Sequence, residues 1–95
     1  MKDLIFSNNE TMTSTQLAEM LGYEKKEINR KVKSMFSDKI EGGIISPTLR
    51  ANNQVFDYNL PELESKMFVA KHDINYLEVI TTYWIINIML CDKHF

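Results

Sequence analysis

Five cations crowd one short stretch of this chain. Glu24–Ser34 carries Lys25, Lys26, Arg30, Lys31 and Lys33 against Glu24 and Glu27, a local balance of 5 − 2 = +3 in eleven residues. On a helix entering a DNA groove, such residues divide the work. Asn29 can pair bidentately with adenine and Arg30 with guanine, while Lys25, Lys26, Lys31 and Lys33 suit phosphates. A second polar cluster, Arg50, Asn52, Asn53 and Gln54, has donors able to reach a backbone or a minor groove. Each cluster also has a plain reading, a solvated helix face and an ordinary polar loop.

Other chemistry is thinly represented. His72, His94 and Cys91 are the metal-type residues of the C-terminal part, and Cys91-x2-His94 lacks the two further ligands of a zinc site. The expectation is no metal and a free thiol at Cys91. Glu62 and Glu64 stand two apart on a helix and do not converge. No Ser/His/Asp set and no glycine-rich phosphate loop is present. The chain reads as a non-enzyme without cofactors.

Composition bounds the partners. The chain has 95 residues and a net charge of −2, with 44% apolar and 25% charged residues. That is enough for one domain, and it excludes a polycation that coats nucleic acid indiscriminately. The charge is asymmetric: residues 1–50 carry 8 − 7 = +1, residues 51–95 carry 3 − 6 = −3. One cysteine excludes an internal disulfide and fits a reducing cytoplasm. MKDLIFSNNE reads as no signal peptide. Val79–Leu90, interrupted by Thr81, Thr82 and Asn87, is shorter than the ~20 residues a bilayer span needs, so no membrane is expected.

The local signals predict the elements that carry these residues. Leu4, Ile5 and Phe6 suggest a short strand or turn, followed by a polar loop over Ser7–Thr11. Thr13-Ser14-Thr15-Gln16 has the pattern of a capping box, opening a helix over 14–21. Gly22 then takes the left-handed position. A second helix over 25–36 buries Ile28, Val32 and Met35/Phe36 and turns Lys26, Asn29, Arg30 and Lys33 outward. Helix signals then stop. Gly43–Leu49 and Gln54–Asn59 read as a hairpin within 40–60, its tip near Asn52-Asn53. A third helix over 61–71 begins with Pro61 in its first turn and buries Leu63, Met67 and Phe68. A fourth, over 74–91, is capped by Asp73 and buries Leu77, Ile80, Trp84 and Ile88. The expected fold is α+β and mainly helical: a winged helix-turn-helix with a β-hairpin wing and two C-terminal helices, a single domain over 1–95.

Ala18-x3-Gly22-x5-Ile28, followed by Val32, is the pattern of a helix-turn-helix spanning 13–36. A small residue permits close approach, a glycine takes the turn, and an aliphatic packs into the angle between the helices. With Thr13-Ser14 and Leu17-Ala18-Glu19 before Gly22, and Ile28, Arg30 and Val32 after it, the segment resembles the opening of the phage regulatory protein Rha family. Val55–Leu60-Pro61-Glu62 is similar to that family's strand leading into a Tyr-x-Leu-Pro motif (Tyr58, Leu60, Pro61). The stretch through Met67–Ala70 to Tyr83-Trp84 is similar to its closing segment. The resemblance covers about residues 12–85. The chain departs from the family at Lys25, where His is usual, and in the apolar stretch after Trp84. The resemblance implies a phage or prophage regulator, acting in the bacterial host cytoplasm and binding double-stranded DNA.

Tyr83, Trp84, Ile85, Ile88 and Met89 form an aromatic and aliphatic run expected to mediate a homodimer. Two recognition helices would then stand one DNA turn apart, ~34 Å. The competing reading is a small phage inhibitor that blocks a host protein, with Glu62, Glu64 and Asp73 as its contact surface.

Overall fold

The computed structural model describes the backbone of residues 11–92 and the side chains of residues 11–89. The expected strand or turn at Leu4–Phe6 and most of the loop Ser7–Thr11 lie outside these residues. Thr11–Thr13 is not loop but a strand, β1, with Met12 buried in the core. It runs directly into helix α1, Ser14–Leu21. Thr13 Oγ1 accepts the Gln16 amide at 3.2 Å, and Gln16 Oε1 accepts the Thr13 amide at 2.9 Å, so the capping box is complete. Gly22 ends α1 at φ 76°, where a Cβ would be strained, and its amide closes onto Ala18 O at 2.9 Å.

Helix α2 spans Lys25–Met35 and buries Ile28 and Val32 completely. Helical structure does not stop there. Phe36, itself buried, leaves the helical region at φ −123°, and the chain restarts as a short helix α3, Ser37–Glu41. A buried aromatic at a bend hides a second helical start from any periodicity argument. Strand β2, Ser46–Leu49, and strand β3, Val55–Pro61, form the expected hairpin, shorter at its first strand and longer at its second. The tip lies at Arg50–Asn53: the Asn53 amide donates to Arg50 O at 2.9 Å, and Asn53 sits at φ 68°.

β3 is the central strand of a three-stranded antiparallel sheet ordered β1-β3-β2. Pro61 closes β3 and precedes the next helix rather than entering its first turn, so helix α4 runs Glu62–His72. Its buried side is not the expected one. Leu63 and Met67 are exposed, and Glu64, Ser65, Phe68 and Val69 point inward. The polar pair is buried because it is bonded. Lys39 Nζ meets Glu64 Oε2 at 2.7 Å, and Trp84 Nε1–H donates to Ser65 Oγ at 2.9 Å while the Ser65 hydroxyl donates to Glu62 O at 2.8 Å. Asp73 accepts the Asn75 amide, but the first product is a 3-10 turn, Ile74–Tyr76, and helix α5 spans Leu77–Asp92. Ile80 and Trp84 of α5 are buried, whereas Ile88 is half exposed, so the expected stripe ends one turn early. Among the described residues no helix is long and apolar enough to cross a membrane.

The fold is thus α+β and mainly helical around one small sheet. Met12, Leu17, Ile28, Val32, Ile45, Leu60, Val69 and Ile80 form the driest part of its core, drawn from most of the elements.

Candidate nucleic-acid interface

Ile28 and Val32 fix the rotation of α2, so the opposite side, Lys26, Arg30 and Lys33, faces solvent. The two flanks of α2 differ. One carries Lys25 and Asn29 and faces the hairpin; the other carries Lys31 and Ser34 and faces the end of α4.

The hairpin flank depends on a β-bulge. Thr48 pairs with Asp57 but Leu49 pairs with Val55, so Phe56 is the extra residue on β3. A bulge re-aims its side chain and leaves its carbonyl without a ladder partner. Both consequences are used. Asn29 Nδ2–H donates to Phe56 O at 3.2 Å, and the Phe56 ring turns out between two cations. Lys25 Nζ stands 3.1 Å from the ring centroid, and Arg50 Cζ 4.8 Å from it. Lys25, Lys26, Asn29, Arg50, Gln54 and Phe56 together line a cleft of about 380 Å³ between helix and hairpin.

The expected roles divide accordingly. Lys25, Lys26 and Arg50 converge at this cleft, and Arg30 and Lys33 stand on the outer face of α2. Asn29 lies on the hairpin flank rather than the outer face: its Nδ2 donates to β3 and its Oδ1 is buried without a partner, so this conformation does not present the amide edge expected to pair with adenine. Asn29 tethers the hairpin instead. Asn52 spends its side-chain carbonyl on the Gln54 amide at 3.2 Å, holding the turn, and Asn53 is exposed in its left-handed position. Phe56 was missed, because strict strand alternation gives no hint of a bulge.

Electrostatics sharpen the face. Arg30 Nη2 meets Glu27 Oε1 at 2.6 Å. That hydrogen bond, then the Arg30 charge and the nearby Lys31 and Lys26, holds the Glu27 carboxyl below its ordinary range. Lys39 and Lys66 are paired with Glu64 and Glu62. Among the described residues Lys25, Lys26, Lys31, Lys33, Arg50 and Lys71 have no carboxylate partner.

Behind the face, β3 anchors α1. The Thr15 amide and hydroxyl donate to Asp57 Oδ1 at 3.0 and 2.8 Å, and the Tyr58 amide donates to Ser14 Oγ at 3.0 Å. A buried carboxylate at a helix N-terminus meets unsatisfied amides and the positive end of the helix dipole.

The run expected to dimerise divides as well. Trp84 is a core residue, and Tyr83 is half buried with its hydroxyl accepting from Gln16 Nε2 at 3.3 Å. Neither is a free contact surface. Ile85, Ile88 and Met89 are each about half exposed, as are Val79 and Ile86. Cys91 and His94 lie outside the described side chains.

No family model, no curated protein and no solved structure matches the chain.

Proposed function

We propose that the chain is a duplex-DNA-binding regulator of the winged helix-turn-helix kind, serving a phage or prophage as the family resemblance implies. One observation carries this reading: the cations without carboxylate partners are gathered on α2, the hairpin and the adjoining end of α4. Cations elsewhere among the described residues are consumed in ion pairs. A surface that holds unneutralised cations together is built to release counterions from a polyanion. The order β1-β3-β2, with α1, α2 and α3 inserted between β1 and β2, supports the winged reading. In it α2 enters the major groove and the hairpin lies against the flanking backbone. In this reading Lys26, Arg30 and Lys33 face the duplex, and Arg30 is the side chain assigned to guanine.

The host-protein reading has less support. Glu62 is paired with Lys66, Glu64 is buried against Lys39, and Asp73 caps the 3-10 turn. The acids expected to form that contact are occupied within the fold.

Selection of bound sequences from random duplex DNA at near-physiological salt tests the proposal. An enriched motif, lost when Lys26, Arg30 and Lys33 become Glu, is the expected result. Absence of enrichment, with biological activity surviving those three changes, would overturn it.

A further inference from the structure

The other flank of α2 holds a second cationic cleft. Arg30, Lys31, Ser34 and Met35 of α2 face Phe68, Lys71 and His72 of α4 across a space of about 590 Å³. No carboxylate lines it. Lys31 and Lys71 have no ion-pair partner among the described residues. The His72 ring is held in place, edge-on to Tyr23 at 4.6 Å and parallel to Phe68 at 6.2 Å. The dipole of α4 accounts for a lysine and a histidine in its last turn. It does not account for Lys31 lying across the cleft from Lys71, where like charges repel; Arg30 beside them is paired with Glu27.

We propose that this cleft is a phosphate site and that its occupant is a backbone phosphodiester of the duplex, on the strand opposite to the one the hairpin meets. This rests on the DNA-binding reading above. A helix about 10–12 Å across fills a major groove about 12 Å wide, so a phosphate strand runs along each of its flanks. Lys25 and Arg50 at the Phe56 cleft meet one strand. Lys31, Lys71 and His72 meet the other, with Ser34 adding a hydroxyl donor. Arg30 and Lys26 make the surface continuous between them.

Duplex binding by fluorescence anisotropy, titrated with salt, is the test. Lys71→Gln and Lys31→Gln change exposed or half-exposed side chains; His72→Gln alters ring packing and is judged against its thermal melt. Each lysine change is expected to weaken binding roughly threefold to tenfold on every sequence and to lower the salt slope by about one. If the unaltered chain binds duplex and both lysine variants bind equally well, the cleft proposal falls and the DNA reading stands. Should the unaltered chain bind no duplex, the DNA reading fails, and pyrophosphate separates the rest. Saturable shifts of the His72 ring resonances that vanish in Lys71→Gln would keep the cleft as a site for a free phosphate compound. No shift would sink the cleft as well.

Discussion

Glu27 is the one acid set among the cations of α2, and its role is to restrain Arg30. The 2.6 Å contact holds the guanidinium, and in the DNA-binding reading a guanine edge has to compete with it. Glu27→Gln releases it and removes a negative charge from the face. Duplex affinity is expected to rise roughly threefold or more, with a salt slope steeper by about one, in the same anisotropy titration. An unchanged or weaker affinity would show that the pair pre-orients Arg30 rather than restraining it. The pH behaviour follows from the direction of the shift. A carboxyl held below its ordinary value of 4.5 contributes stability above that value, and the contribution is lost as pH falls through its lowered value in the fold. Glu27 is exposed, so the loss is small. At this scale the sequence was legible wherever the signal was local. Thr13, Gln16 and Gly22 each act within a few residues of themselves, and each took its expected place. Asn29 was misjudged because its partner, Phe56 O, lies 27 residues away and is offered only by a bulge.

Elements hold one another through a few buried polar groups. Asp57 on β3 is 7% exposed and accepts two hydrogen bonds from Thr15 at the start of α1. Asp57→Ala leaves the Thr15 amide and hydroxyl without that partner at a helix N-terminus. The expected loss is about 2 kcal/mol in denaturant unfolding, with the largest gain of amide exchange in α1. A loss within about 0.5 kcal/mol, as at an ordinary surface site, would contradict this role. The four longer helices were legible here, from caps and periodicity; the short α3 was not. The buried face of α4 was not. Leu63 and Met67 are the apolar residues, yet Glu64 and Ser65 occupy the inside because Lys39 and Trp84 wait there. A polar residue's partner is a tertiary fact, and hydrophobic patterning cannot supply it. β1 escaped for a related reason: three residues have no period, and only β3 makes them a strand.

For the whole molecule, α5 sets the open question of assembly. Val79, Ile86 and Met89 recur at seven and three residues along its outer side, with Ile85 beside them, each about half exposed. In the regulator reading this stripe is proposed to pair with a second copy; it keeps Ile85 and Met89 of the run expected from sequence and adds Val79 and Ile86, while Trp84 belongs to the core. Ile86→Glu puts a charge into that seam. Sedimentation equilibrium is expected to give a dimer for the unaltered chain and a monomer for the variant, and the selected DNA motif should lose its two-fold symmetry. A unaltered chain that remains monomeric would remove α5 from any role in assembly.

The tether between Asn29 and the bulged carbonyl has a wider effect. It stops the hairpin from swinging like a loose arm, because the strand it belongs to is also stitched to the start of α1. Helix and hairpin therefore behave as the fixed jaws of a gauge.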